Sequence, residues 1–180
     1  ESYINTWPTD SVWCHGGGSA EESAYAFAGY LALSGLARHA GDEAAAKRHE
    51  AQAARIRDAL LGELWIARKG YMAQYKEQGG LQRVHEDSWL GAIFLPVEAG
   101  VLDAGRSAEA LHYTEWGLER VDMPFGGSRC WMSNWVPAPW SVREMYPGDN
   151  YALALAYFRA GLATDGWDIL QGNYLESMYY

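Results

Sequence analysis

Three times along this chain a stretch dense in apolar and small residues is followed by an amphipathic one, and the pairs recur at a spacing of about 63 residues. Each stretch is long enough for a helix. A helix pair of this kind cannot bury its own apolar surface, so successive pairs must stack, each covering its neighbour. The expected fold class is therefore all-α, built from helical hairpins.

The local signals set the boundaries. Residues 1–18 read as a loop ending in Gly16-Gly17-Gly18, and Ser19-Ala20-Glu21-Glu22 fits a capping box. The helix that follows runs to about Ala40, with Ala24, Tyr25, Phe27, Ala28, Tyr30, Leu31 and Ala32 on every side. That distribution predicts burial all round. Gly41 stops it, and Asp42 caps an amphipathic helix over 43–64 whose apolar stripe is Ala46, His49, Ala53, Ile56 and Leu60. In the connection 65–84, Tyr71, Ala73 and Tyr75 alternate with other residues before Gly79-Gly80, which predicts a small β-hairpin. The second pair spans about 87–121, with Asp87 as cap and Trp89, Leu90, Ile93, Phe94 and Val97 in its first helix. Its outer helix carries Ala108, Leu111, Leu118 and Val121. A loop over 122–148 precedes the third pair, 149–180, which opens at Asp149 and continues in an amphipathic helix using Trp167, Leu170 and Tyr174. A loop of that length inside a compact domain is usually functional.

Stacked pairs of this kind form a toroid, apolar helices in an inner ring and amphipathic ones outside. Six pairs close such a ring, and three are present, so the expectation is half a toroid in one unit, 1–180. The remainder of a longer polypeptide, or a second copy, would complete it. The opening Glu1-Ser2-Tyr3 and the apolar ending Met178-Tyr179-Tyr180 suit that reading. The inner helices start near 20, 88 and 150, and the loops before them should converge on one face.

Composition narrows the partners. The net charge is −9, from 14 basic and 23 acidic residues, and no basic run occurs. Nucleic acid and anionic membrane surfaces are therefore not expected partners. No apolar run reaches the roughly 18 residues of a membrane span. Cys14 and Cys130 either pair in an exported protein or stand as two buried thiols; the second is expected, and no spacing suggests a metal or other cofactor.

Nine Trp and twelve Tyr are unusual at this length, and they crowd the loops before the inner helices together with carboxylates. Cleaving a glycosidic bond needs two carboxyl groups across a sugar, one an acid and one a base or nucleophile. Flat aromatic rings cover sugar C–H faces, and amide or guanidinium donors hold hydroxyls. The candidates for catalysis are Glu21, Glu22, Glu86 and Glu144, and for substrate binding His15, His85, Trp131, Asn134, Trp135, Trp140 and Arg143. Each has a plainer role open to it. Glu22 completes the capping box, Asp87 and Asp149 serve as caps, and Glu144 pairs with Arg143.

The stretches GGGSAEESAYAFAGYLALSGLA, LGELWIARKGYMAQY and WSVREMYPGDNYALALAYF resemble the six-hairpin glycosidases, most of all bacterial polysaccharide-degrading members. The resemblance spans nearly the whole chain but about half a barrel. It implies half of an (α/α)6 barrel, a glycoside hydrolase acting on poly- or oligosaccharide without a cofactor, and a periplasmic or secreted setting. It also implies a general acid just before an inner helix, in a turn like SGxDxS. Gly18-Ser19-Ala20-Glu21-Glu22-Ser23 is similar, with Glu21 where those enzymes have Asp. The competing readings are a non-catalytic glycan-binding toroid module, and a polysaccharide lyase or sugar epimerase on the same scaffold.

Overall fold

A computed structural model of the chain describes residues 17–134 and 143–179. Among them six helices alternate with short strands. Strand β1 (Gly17–Ser19) leads directly into α1 (Ala20–His39). The capping box forms: the Glu22 backbone N–H donates to Ser19 Oγ at 3.2 Å. Gly41, at φ +79°, turns the chain, and Asp42 Oδ1 accepts from Ala45 N at 2.8 Å to start α2 (Glu43–Glu63). Helices α1 and α2 pack as an antiparallel pair, with Ala24 and Phe27 facing Ala53 and Leu60 in the core.

The connection holds more strand than the sequence indicates. β4 (Tyr75–Glu77) and β5 (Val84–His85) form the expected hairpin around Gly79-Gly80, while Tyr71 falls in a second one, β2 (Trp65–Ile66) with β3 (Tyr71–Met72). β4 also pairs with β1, Gly17 opposite Glu77 and Ser19 opposite Tyr75, giving a three-stranded antiparallel sheet ordered β1-β4-β5. Gly17 is required here. At φ +143°, a Cβ would lie 2.0 Å from the Lys76 carbonyl oxygen.

Helix α3 (Leu90–Glu98) is the innermost element, with every residue from Leu90 to Val97 buried. Leu90 and Ile93 are fully enclosed, and each such side chain contributes roughly 1.5–3 kcal/mol. The helix starts later than expected: Trp89 is the N-cap and Asp87 lies exposed upstream. Helix α4 (Ala104–Trp116) ends earlier than its apolar pattern suggests. Leu118 is buried beyond its end, and Val121 belongs to β6 (Arg120–Asp122), which pairs with β7 (Ser128–Cys130). The expected loop 122–148 therefore opens with a hairpin, because tertiary pairing overrides the helical period.

Helix α5 (Pro147–Arg159) begins at Pro147, so Asp149 falls in the first turn and is not the cap. Proline suits that position, where its missing N–H costs nothing. Helix α6 (Ala163–Tyr179) closes the third pair and turns Gly166, Ile169, Gly172 and Asn173 inward. Trp167 and Tyr174, expected in its apolar stripe, are 60% and 51% exposed. Gly172 meets the backbone of Ser128 so closely that a Cβ would lie 2.4 Å from its carbonyl oxygen. Arg120 secures the same junction, donating to Ser128 Oγ and to Asp168 Oδ2, both at 2.7 Å.

The inner helices pack in sequence, α1 on α3 and α3 on α5. α1 is not buried all round. It buries Ala20, Glu21, Ala24, Phe27 and Ser34, while Tyr25, Leu31, Leu33 and Leu36 are exposed. The physical reason is its neighbours: α2 and α3 each cover part of its surface, and the rest meets solvent. Among the described residues no helix is long and apolar enough to cross a membrane.

Candidate active site

The described parts of the loops before the three inner helices are joined to one another by hydrogen bonds at the helix starts. Gln74 is the first junction. Its carbonyl accepts from Ala20 N at the start of α1 (3.1 Å), its N–H donates to the His85 carbonyl (2.8 Å), and its Oε1 accepts from Trp89 N at the start of α3 (3.0 Å). Met132 is the second. Its carbonyl accepts from Leu90 N (2.7 Å) and its N–H donates to the Glu144 carbonyl ahead of α5 (2.8 Å). Asn150, fully buried in α5, bonds both the N–H and the carbonyl of Cys130.

On this scaffold the candidate residues take distinct places. Glu21 is buried in the first turn of α1, and Glu22 is half-buried beside it. One turn on, Tyr25 is 61% exposed and feels the charges of three carboxyls carried by three inner helices. Burial, then the charges of Glu21, Glu98 and Asp149, raise its hydroxyl above the ordinary tyrosine range. Burial also raises Glu98, at the end of α3, above the ordinary carboxylate range. Burial pushes Asp149 up to about 6, and its Oδ2 is enclosed with no hydrogen-bond partner among the described residues. A carboxyl so shifted keeps its proton to a higher pH than an exposed aspartate, the direction a general acid requires.

Glu86 is held differently. Hydrogen bonds from Lys69, at 2.9 Å, and from Arg68 keep its carboxyl below the usual range. It stays ionised and is suited to a base, not an acid. His85 donates or accepts through Nε2 with Glu77 Oε1 at 2.9 Å and stacks on Tyr75, ring centroids 4.1 Å apart.

Trp131 and Arg143 come together, the guanidinium 5.3 Å from the indole ring. Arg143 pairs with Glu119 at 2.7 Å rather than with its neighbour Glu144. Glu119 adopts φ +66°, a conformation that costs a non-glycine residue energy and that this ion pair and the Trp131 N–H bond to its carbonyl help to hold. The Glu144 side chain is half-buried beside them. Asn134 uses its amide to donate to the Gly117 carbonyl, 2.9 Å away. His15, Trp135 and Trp140 lie outside the described residues, as does Cys14. Cys130 is buried, its thiol pushed up to about 12 by burial and 3.6 Å from the Thr114 carbonyl oxygen.

Glu77, Tyr25 and Glu98 escaped the sequence reading, which took Asp149 only as a cap. Pro147 was the available signal for Asp149, since a proline at the first helical position moves the cap upstream. Nothing in the spacing pairs Glu77 with His85, because that contact depends on strand register.

No family profile and no curated relative matches the sequence. Among solved structures the chain is similar to the GH63 mannosylglycerate hydrolase from Thermus thermophilus in complex with glucose, with a TM-score of 0.63 at 17% identity. That enzyme is an (α/α)6 barrel. The likeness covers 86% of this chain and 36% of that one, so this chain spans about a third of the neighbour's length. At this identity it is a likeness of fold. The six helices with small β-hairpins are compatible with a fragment of a helical toroid.

Proposed function

We propose that this chain is half of a six-hairpin toroid that hydrolyses glycosidic bonds in a poly- or oligosaccharide with two carboxyl groups. The observation that carries the reading is the Asp149 carboxyl in the first turn of α5, its Oδ2 enclosed without a hydrogen-bond partner among the described residues and its pKa pushed up to about 6 by burial. The similarity in fold to a glycoside hydrolase supports it.

The acid comes from Glu21, Glu22 or Asp149. Asp149 is favoured by its raised pKa, although the N-terminal turn of α5 pulls the other way by favouring the anion. The base or nucleophile is Glu86 or Glu144. Glu86 has the charge for it already, fixed by Lys69 and Arg68. Trp131 beside Arg143 offers a flat surface and a donor for the sugar.

The test is sugar release from a panel of oligosaccharides by the intact protein and by Glu21→Gln, Glu22→Gln and Asp149→Asn. Loss of the true acid lowers kcat by about 10²–10⁴-fold while the protein stays folded. Full activity in all three variants would exclude this cluster as the proton donor.

A further inference from the structure

The β4–β5 hairpin lines an open cleft of about 590 Å³, bordered by Tyr75, Glu77, Leu81, Arg83 and His85 around the Gly79–Gly80 turn. Its size falls within the roughly 300–1,000 Å³ of small-molecule sites. It belongs to the loop that precedes α3, one of those joined at the helix starts.

Its wall is rigid. Glu77 is 8% exposed and both of its carboxylate oxygens are engaged, Oε1 with His85 Nε2 at 2.9 Å and Oε2 with the Arg83 N–H at 3.1 Å. These contacts hold it ionised, below the usual carboxylate range. An ionised Glu77 accepts from Nε2–H, so in the neutral imidazole Nδ1 is the acceptor. Among the described residues Nδ1 has no hydrogen-bond partner. The stack on Tyr75, tilted by 6°, prevents the ring from turning away.

Arg83 is clamped by its backbone. Besides the N–H bond to Glu77 Oε2, its carbonyl accepts from Glu77 N at 2.9 Å. Its guanidinium forms no ion pair among the described residues, whereas Arg38, Arg68, Arg106, Arg120 and Arg143 each hold a carboxylate. Arg57, Arg129 and Arg159 instead hold backbone carbonyls. Arg48 and Arg55 also lack an ion pair there, but they stand on the solvated side of α2. An anchored arginine lining a cleft, in a chain of net charge −9, is a fork set for an incoming carboxylate. Leu81, 76% exposed at the rim, offers apolar contact to a ring face.

We propose that this cleft is a subsite for a uronate unit of an acidic glycan. Arg83 binds the sugar carboxylate, His85 Nδ1 accepts from a ring hydroxyl, and Glu77 is the positioning residue for both. The inference rests on the reading that these loops handle carbohydrate, but not on hydrolysis. A neutral hexose would leave the guanidinium unmatched. The negative protein as a whole repels a polyanion, so a preference for one must come from a local site.

The test is calorimetric titration of the intact protein with tetragalacturonate and with maltotetraose at fixed ionic strength. Tetragalacturonate is expected to bind about tenfold or more tightly than maltotetraose, the size of a charge-assisted contact. Arg83→Gln, on an exposed side chain, should abolish that preference while the protein keeps its unfolding temperature. Imidazole ¹⁵N shifts should place the His85 proton on Nε2 and move at Nδ1 when tetragalacturonate is added, and Glu77→Gln should remove that tautomer preference. Equal binding of the two tetrasaccharides, or a preference that survives Arg83→Gln, overturns the proposal. Hydrolysis of neutral glycans without uronate preference would overturn the subsite alone. Uronate binding without any hydrolysis would uphold the subsite and overturn the hydrolase reading.

Discussion

Asp149 illustrates how one side chain trades stability for chemistry. Its pKa near 6 lies above that of an exposed aspartate, so the folded state binds a proton that the unfolded state has released. The contribution of this group to stability is therefore complete at low pH and is lost as the pH rises through about 6. At pH 7 the ionised, enclosed carboxylate costs about 3 kcal/mol. Asp149→Asn should raise the unfolding temperature above pH 6 and leave it unchanged near pH 4, as thermal scans at the two pH values would show. The same variant should lose hydrolysis if Asp149 is the acid. A stabilised, fully active variant would separate the pKa from the mechanism. Glu86 makes the opposite case, since Lys69 and Arg68 favour its charged form.

At the level of elements, caps and close approaches decide where the chain turns. Ser19 is both the end of β1 and the cap of α1, so it joins the sheet to the helix that carries Glu21 and Glu22. Ser19→Ala should cost about 1 kcal/mol by denaturant unfolding. Gly172→Ala should cost more, about 1–3 kcal/mol, because its Cβ meets backbone atoms of β7 that cannot yield by a rotamer change. An alanine there without measurable loss would mean that α6 and β7 separate easily. The helix pairs, Gly41 and both caps of the first hairpin were legible in the sequence, since each depends on residues within one or two turns. The β6–β7 hairpin and the early end of α4 were not, because strand pairing set them.

Across the whole molecule, exposed apolar side chains cluster on helices at the two ends of the row. Leu31, Leu33 and Leu36 stand out from α1, and Trp167, Tyr174 and Met178 from α6. Contiguous patches of this kind mark surfaces that another chain or segment covers. The chain in isolation should therefore self-associate in sedimentation experiments, and Leu36→Lys with Trp167→Lys should reduce it. A monomer at high concentration that binds no apolar dye would argue that these faces need no cover. With the half-toroid reading, the cover is further helical hairpins of the same kind.

The apolar periodicity, the caps and the punctuating glycines were enough to define three helix pairs and their order, because such signals act over a few residues. They also gave the expectation that the loops before the inner helices share a face, since each occupies the same place in its repeat, and the described parts of those loops are hydrogen-bonded to one another. Only the tertiary structure brought Glu77 to His85, Arg143 to Glu119 and the Asp149 carboxyl into an enclosed place in the first turn of α5. Those placements depend on strand register, loop path and helix packing. A carboxyl's charge state depends on the water and partners around it, and no sequence spacing specifies them.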